Sequence, residues 1–324
     1  MKRLDKLLIV GVDHGNYNIK TATSCFVAGY KSVGKHSSFS DMLEYDGNHY
    51  SLSRQRLKMR MDKANHDFLV LTLFGIAKEL EHYRLAGDVY DVALAVGLPP
   101  EFIERMDLRD RLREFYRGEW VFTYNKGMEY GVRVDKVFVC PQNFAGAMAR
   151  TMSDEMSRQS SLLNRPFDIL CNEPESLLID IGGGTVDVVG LQYGRPVPEY
   201  HKSLPEGLIN LYKLINDDVR ARTGSELSET VINSVLRDEP NCVSGFDKEL
   251  ILNHMNEYTD KLLLSLDEHR LPFRGSYNLV MGGGVKIVKK NWKKHGGFGK
   301  LDFLSDIRVN AQGYEEMAYD ALTR

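Results

Sequence analysis

The sequence predicts an α/β protein of two domains, and three observations support this fold class. An apolar strand, a glycine-containing turn and a returning strand occur near the start of the chain and again in its second half. A helical pattern over residues 64–85 precedes the short apolar run 92–98, which is typical of a buried strand. Finally, a chain of 324 residues is longer than one typical domain requires.

The first hairpin is predicted from residues 7–12 and 17–28. Asp13 ends the first apolar strand, and a glycine turn follows it. His14, next to Asp13, either donates a hydrogen bond to a ligand or is a turn residue without one. Lys20 on the returning strand is either a ligand-binding residue or a solvated one. The candidate ligand-binding residues of this hairpin are Asp13, Gly15, Asn16, Tyr17, Asn18 and Lys20.

Residues 29–36 resemble the start of a P-loop, because they follow the pattern Gly-x-x-x-x-Gly-Lys. His36 stands where a P-loop requires Ser or Thr, so we interpret this stretch as a basic surface turn between strands. The helix over 64–85 is expected to end at Gly87.

A charged helix over 101–117 follows the strand at 92–98, because Pro99 and Pro100 end that strand. Alternation then predicts a second hairpin from 119–124 and 128–140, with residues 125–127 as its turn.

The second half opens with the stretch 178–189, which contains three glycines between two β-branched strands. Glycines at 182, 183 and 184 lack Cβ atoms, so their N–H groups can converge on an anion. Asp180 beside this turn would repel a phosphate unless a cation lay between them, which is typical of a magnesium-nucleotide site. The alternative is an ordinary glycine-rich hairpin with an acidic edge.

The remaining elements are predicted in order from hydrophobic periodicity and helix-capping residues. Ser225 is expected to cap the third of them, with Ser228 as an alternative cap. The elements are a strand at 195–203, a helix from Leu204-Pro205-Glu206-Gly207 through Val219, a helix after Ser225, a helix at 247–267, a strand at 278–281 with Gly282-Gly283-Gly284 behind it, and a last helix opened by Asn310.

The order of three motifs resembles a known superfamily. Asp-x-Gly-x-x-Asn-x-Lys at 13–20, Asp-x-Gly-Gly-Gly-Thr-x-Asp at 180–187 and the triple glycine at 282–284 are similar to the phosphate 1, phosphate 2 and adenosine motifs of the actin, Hsp70 and sugar-kinase ATPases. Their spacing resembles the ParM/StbA group of bacterial actin-like ATPases, which segregate plasmids. The resemblance implies an actin-like (ribonuclease H-like) fold with two related domains around a nucleotide cleft. Domain I is expected at 1–165, domain II at 166–305, and a C-terminal helix at 306–324 returning to domain I.

The same resemblance implies a site for Mg²⁺ and ATP or GTP. Asp13 and Asp180 would hold the metal, and Gln142 after Pro141 would position the attacking water. ParM-like proteins have Glu at that position, whereas Gln is closer to actin, and the alternative for Gln142 is a helix-opening residue without a role. Three residues are possible neighbours of the base: Lys213, Glu229 and Asn233. The residues implied to hold the nucleotide in the second half are Asp180, Gly182, Gly183, Gly184, Thr185, Gly282, Gly283 and Gly284.

The function implied is that of a polymerising ATPase. ATP would drive filament growth, hydrolysis would trigger disassembly, and a DNA-binding adaptor on a centromere-like site would connect the filament to a plasmid. Two alternatives remain, a non-filamentous ATPase switch or scaffold and a small-molecule kinase of the same superfamily.

Composition excludes some partners and compartments. The net charge of −3 gives no general attraction to DNA or an anionic membrane, so no direct DNA binding and no membrane contact are expected. The lysines within residues 286–300 are interpreted as a solvated helix face, with DNA binding or a contact to an acidic patch of another subunit as alternatives. Four widely spaced cysteines predict neither a zinc site nor disulfides, and the absence of a signal-peptide core predicts a cytoplasmic protein.

Overall fold

The structure is a computed structural model, which describes residues 1–35, 40–60, 62–85, 89–125, 127–153, 156–157 and 165–324. The expectations for His36, Gly87 and Lys126 therefore lie outside the described residues.

The strands and helices fall into two compact units. The first unit contains Met1–Thr151 and Ile307–Arg324, and the second contains Phe167–Asp306. The strands are β1 (Lys2–Leu4), β2 (Leu7–His14), β3 (Asn18–Lys20), β4 (Cys25–Val27), β5 (Tyr30–Ser32), β6 (Met42–Tyr45), β7 (Asn48–Leu52), β8 (Val89–Leu98), β9 (Gly118–Tyr124), β10 (Met128–Pro141), β11 (Ser176–Ile181), β12 (Val186–Gln192), β13 (Arg195–Leu204), β14 (Tyr277–Met281) and β15 (Lys300–Phe303). The helices are α1 (His66–His82), α2 (Met106–Phe115), α3 (Phe144–Met148), α4 (Pro166–Leu170), α5 (Leu208–Thr223), α6 (Glu229–Leu236), α7 (Gly245–Glu268), α8 (Val285–His295) and α9 (Val309–Thr323).

Both units are built on the same sheet pattern. The first sheet has the order β4-β3-β2-β8-β10-β9-β6-β7-β5, and the second has the order β13-β12-β11-β14-β15. In each sheet a run of three antiparallel strands leads to two further strands that pair in parallel, β8 and β10 in the first and β14 and β15 in the second. The turn between β2 and β3 and the turn between β11 and β12 are the turns that the sequence motifs single out.

Buried apolar side chains explain why these segments fold as they do. β8 is almost continuously buried from Val92 onward, as a parallel strand covered on both faces must be. Helix α1 buries a broad apolar face, and the Asn65 side chain caps it by accepting the Phe68 N–H.

Helix α9 packs tightly on the first unit through two glycines. A methyl group on Gly11 of β2 would overlap the Ala311 carbonyl, and one on Gly313 would overlap the Ala145 carbonyl of α3. Glu315 Oε1 also accepts the Gly11 N–H at 3.1 Å. Only glycine at 11 and 313 permits this close approach of backbones.

Two element predictions need correction, and one hairpin was not predicted. The charged segment 101–117 is not one helix, because Arg105 is extended (φ −74°, ψ 96°) and separates the short 3₁₀ turn Pro100–Phe102 from α2. Ser228 rather than Ser225 caps α6, since its Oγ accepts the Val231 N–H at 3.3 Å. The hairpin of β6 and β7 was not predicted, because its strands are short and half-buried.

Candidate functional site

The first predicted turn begins where Asp13 ends the buried part of β2. Asp13 lies directly opposite Lys20 of β3, and its Oδ2 accepts a hydrogen bond from Lys20 Nζ at 2.8 Å. The Asp13 side chain is only 2% exposed, so this ion pair is sheltered from water. The carboxylate of the first motif is therefore balanced by a cation of the same hairpin.

Gln142 reaches the same carboxylate from another strand. It follows the last residue of β10, and its backbone N–H donates to the Leu98 carbonyl at 2.9 Å. Its Nε2 donates to Asp13 Oδ1 at 3.3 Å. The structure thus brings together three of the residues that the sequence selects, Asp13, Lys20 and Gln142.

The His14 side chain supports the first turn by packing against α1 and Tyr116. Its Nε2 lies 2.7 Å from Thr72 Oγ1, and its ring stacks on Tyr116 with a centroid distance of 5.4 Å. The edge of Phe68 packs against it at 5.5 Å. Burial lowers the pKa of His14 to about 3, and the charge of Lys63 acts in the same direction, so the imidazole is neutral. His14 is a buried packing residue.

The backbone of the first turn is open to a ligand. Among the described residues, the N–H groups of Gly15 and Asn16 have no protein acceptor. A methyl group on Gly15 would lie 2.5 Å from the Asn18 carbonyl oxygen, so the turn requires glycine there. The Tyr17 carbonyl accepts the Ala28 N–H at 2.9 Å, which fixes the end of the turn.

Lys63 is a residue of this site that the sequence did not indicate. Its Nζ donates to Asn16 Oδ1 at 2.5 Å and lies 4.1 Å from the centroid of the Phe68 ring. Burial lowers the pKa of Lys63 to about 7, whereas the carboxylates of Asp13 and Asp62 act in the opposite direction. Lys63 lies in the irregular segment before α1, where no sequence motif marks it.

The second predicted turn places two carboxylates opposite each other. Asp180 of β11 pairs in register with Asp187 of β12. Asp187 is buried, and its two oxygens accept hydrogen bonds from Thr185 Oγ1 at 3.0 Å and from Ser203 Oγ at 2.5 Å. Asp187 is the last residue of the second motif, and its position seven residues after Asp180 matches the spacing of Asp13 and Lys20.

Helix α5 fixes the carbonyl groups of the second turn. Leu208 N–H donates to the Gly182 carbonyl at 3.1 Å, and Ile209 N–H donates to the Gly183 carbonyl at 2.9 Å. A methyl group on Gly207 would overlap the backbone of Gly183 and Gly184.

Backbone N–H groups of the second turn are available to a ligand. In the part of the chain that the structure describes, the N–H groups of Gly183, Gly184 and Thr185 have no protein acceptor. Since α5 holds the carbonyls on one side, these N–H groups form a donor set for an anion.

The third glycine motif lies beside Asp180. Gly282 has φ +93°, and a methyl group there would overlap Asp180 Oδ1. The Gly284 N–H donates to the Ile181 carbonyl at 3.0 Å, which ties this turn to β11. Around Gly283, by contrast, an added Cβ would meet no atom within 4 Å. The predicted residues of the second unit therefore form one group around Asp180.

The other candidates lie elsewhere in the second unit. Asn233 accepts a hydrogen bond from Tyr212 Oη at 2.9 Å. In the basic helix α8, Lys289 and Lys293 lie over the Phe303 ring at 5.5 and 5.9 Å, and Lys286 lies 3.9 Å from Glu239. Much of this lysine cluster therefore packs on its own unit. Within the described residues, no helix combines the length and apolar character that crossing a bilayer requires.

Comparisons with known proteins bear on the fold. Residues 11–144 match the family model described as "Actin like proteins N terminal domain". No curated protein sequence matches the chain.

Solved structures match over nearly the whole chain. The archaeal actin homolog Ta0583 in complex with ADP shares 16% identity, with a TM-score of 0.72 over 97% of this chain and 99% of that one. Bacillus thuringiensis ParM with ATP shares 12% identity, with a TM-score of 0.69 over 99% of this chain and 100% of that one. A filament structure of Alp12 shares 12% identity, with a TM-score of 0.65 over 98% of this chain and 99% of that one.

These findings confirm the predicted α/β actin-like fold and the resemblance to actin-like proteins of the ParM type. At such low identities the structural matches show the fold alone.

Proposed function

We propose that this chain, which has the actin-like fold, binds Mg²⁺-ATP, hydrolyses it and assembles into filaments under control of the nucleotide. One observation carries the proposal. In each unit, a hairpin places an aspartate beside turn N–H groups that have no protein acceptor among the described residues. Carboxylates and converging N–H groups are the donors that a metal-phosphate complex requires. GTP would satisfy the same groups, because they recognise phosphate and metal.

Each turn would donate its N–H groups to phosphate oxygens of a nucleotide. The donors are Gly15 and Asn16 in the first turn and Gly183, Gly184 and Thr185 in the second. The backbone at 282–284 would contact the adenosine, since an added Cβ at Gly283 meets open space.

The residues present fit a hard divalent cation. Asp180 faces a second carboxylate, Asp187, whose oxygens are already engaged by hydroxyl groups. Among the described residues, no three His, Cys, Asp or Glu side chains could hold a metal by themselves, so Mg²⁺ would take most of its ligands from water and phosphate. Asp13 and Asp180 would hold it, largely through its waters. When bound, Mg²⁺ offsets the negative charge of the phosphates.

Gln142 would position the attacking water. Its amide Nε2 donates to Asp13 Oδ1, so its carbonyl oxygen is the atom available to accept a hydrogen bond from water. An amide cannot remove a proton, and its role is therefore orientation of the water for in-line attack, assisted by the nearby carboxylate.

The biological role that we propose is plasmid segregation in the cytoplasm. Filaments would grow with ATP and disassemble after hydrolysis, because hydrolysis removes a group that the turns hold. The resemblance to ParM and the filament structure of Alp12 support this part of the proposal. Since the net charge of −3 gives no attraction to DNA, an adaptor protein on a centromere-like site would make the connection.

High-speed sedimentation of the purified protein tests the proposal. The protein is spun with Mg²⁺-ATP, with Mg²⁺-ADP and without nucleotide, and phosphate release is measured in the same samples. Asp180→Asn is run in parallel, with the exposed Asp260→Asn in α7 as the matched control. We expect an ATP-dependent pellet above a threshold protein concentration. We also expect hydrolysis to fall about 100-fold in Asp180→Asn and to be unchanged in the control.

Other outcomes would contradict specific parts of the proposal. Hydrolysis without a pellet at any concentration would contradict the filament and favour an ATPase switch or scaffold. Hydrolysis that requires a small-molecule acceptor would favour a kinase. Equal activity of Asp180→Asn and the wild type would remove Asp180 from the site.

A further inference from the structure

Lys63 is held at the first turn by its backbone and by its side chain. Its carbonyl accepts a hydrogen bond from Tyr116 Oη at 2.7 Å, and Tyr116 in turn stacks on His14 beneath the turn. Its Nζ donates to Asn16 Oδ1, an atom that also accepts the Arg60 N–H at 3.4 Å. The ammonium group therefore lies beside the turn whose N–H groups have no protein acceptor.

The charge of Lys63 is not balanced in the way that neighbouring charges are. Lys20 is paired with Asp13 at 2.8 Å, and Arg60 is paired with Asp67 at 2.7 Å. Asp62, the carboxylate next in sequence to Lys63, is engaged by Arg111 at 2.6 Å. Among the described residues, Lys63 has no ion pair. Its Nζ contacts a neutral amide oxygen and the Phe68 ring, and the carboxylates of Asp13 and Asp62 act on its charge without reaching ion-pair distance.

Such an arrangement is unfavourable in the free protein and favourable with an anion present. An ammonium group removed from water is costly unless an opposite charge accompanies it. An anion that binds the N–H groups of Gly15 and Asn16 would lie beside this ammonium group and supply that charge. A phosphate suits the position, because a lysine binds phosphate as a point charge at the end of a flexible stem.

We propose that Lys63 is a phosphate-binding residue of the nucleotide site, whose Nζ exchanges Asn16 Oδ1 for a phosphate oxygen when nucleotide binds. This inference rests on the proposed function, and it adds a second cationic contact to a turn whose motif contains only Lys20. Asn16 then holds Lys63 in position in the free protein and releases it in the complex.

The test compares nucleotide affinity with the stability of the free protein. Lys63→Met keeps the apolar stem and removes the charge, and Lys63→Gln keeps a polar end as a second variant. Lys58→Met is the matched control, because Lys58 is exposed in the same segment. Dissociation constants for Mg²⁺-ATP and Mg²⁺-ADP are measured by calorimetry on the full chain, and thermal unfolding is measured without nucleotide.

We expect Lys63→Met and Lys63→Gln to weaken ATP binding about tenfold or more, as the loss of a charge-assisted hydrogen bond does. The control should bind like the wild type. Without nucleotide, Lys63→Met should unfold at the same temperature as the wild type or a higher one, because it removes an unpaired ammonium group. A purely structural role would instead lower that temperature.

Three outcomes would overturn the inference. The first is equal ATP affinity of both Lys63 variants and the wild type. The second is an equal loss of affinity in Lys58→Met, which would show a general charge effect. The third is a failure of both Lys63 variants to fold, which would show a structural role. If the wild type itself binds no nucleotide, the proposed function fails together with the inference, whereas the first two outcomes leave it standing.

Discussion

The hairpin of the first unit and the hairpin of the second unit share one register and differ in charge. In both, an aspartate lies directly opposite the residue seven positions later, from 13 to 20 and from 180 to 187. That residue is Lys20 in the first hairpin and Asp187 in the second. Strand register therefore fixes the geometry of both hairpins, whereas the side chain opposite the aspartate decides whether a hairpin pairs its own carboxylate with a cation or keeps two facing carboxylates.

The two turns are also supported differently. The first rests on the side chains of His14, Phe68 and Tyr116, whose rings pack together. The second rests on the N-terminus of α5, whose N–H groups bind the turn carbonyls. At the position after the aspartate, the first hairpin has His14 and the second has the buried Ile181. Side chains therefore shape the first turn and backbone shapes the second.

The largest expected effect concerns the backbone support of the second turn. Gly207→Ala should lower the free energy of unfolding of the second unit by about 3 kcal/mol, because the new methyl group overlaps backbone atoms of Gly183 and Gly184 that cannot easily move. Gly207 has φ −67°, so an alanine backbone is compatible and the effect is steric. Gly245→Ala is the control, since a methyl group there meets open space.

Each unit contains one tryptophan, Trp120 in the first and Trp292 in the second, so urea unfolding can be followed for each unit separately. The Trp120→Phe background reports the second unit. If Gly207→Ala and Gly245→Ala unfold at the same urea concentration there, the support of the turn by α5 is not important for stability.

A second prediction concerns the charge difference. Without metal and nucleotide, Asp13→Asn should lower the free energy of unfolding of the first unit by about 2 kcal/mol, because Lys20 loses a partner that is sheltered from water. Asp180→Asn should lower that of the second unit by less than this, since it also relieves the repulsion between two facing carboxylates. Urea unfolding with the unit-specific tryptophans measures both. Equal losses in the two units would contradict the charge comparison.

A third prediction concerns a pH dependence of the first unit that the second hairpin does not share. Below pH 6.5 the unfolded chain protonates His14, whereas burial holds the pKa of the folded imidazole at about 3. The unfolded state therefore binds more protons in this pH range. As a result, the free energy of unfolding falls by up to about 1.4 kcal/mol for each decrease of 1.0 in pH. His14→Ile copies the second hairpin, and it should reduce this slope between pH 6 and pH 4. An unchanged slope would assign the pH dependence to other groups.

Sequence patterns predicted those parts of the fold that depend on local chemistry. Apolar runs located β2, β8, β11 and β14, and periodicity located α1, α5 and α7. Sequence patterns did not predict the strands whose formation depends on tertiary contacts. The short half-buried strands β6 and β7 depend on pairing with each other and with β9, and no local signal marks them.

The candidate site likewise contains residues that the sequence predicted and residues that it did not. The aspartates, the turn glycines and Gln142 stand in motifs, and their residue types suggested their chemistry. Lys63 could not be predicted, because its significance comes from Asn16, 47 residues away in the sequence. Gly207 could not be predicted either, since its importance depends on the close approach of the turn at 183–184.

The contact between Gly11 and Glu315 has a consequence for synthesis of the protein. The two residues are separated by 304 positions, and α9 packs on β2 and α3 through backbone contacts that only glycine permits. A nascent chain therefore exposes one face of β2 until α9 has left the ribosome. We expect the first unit to complete its folding only when α9 has emerged, and its incomplete sheet to be the form of the protein that most needs a chaperone.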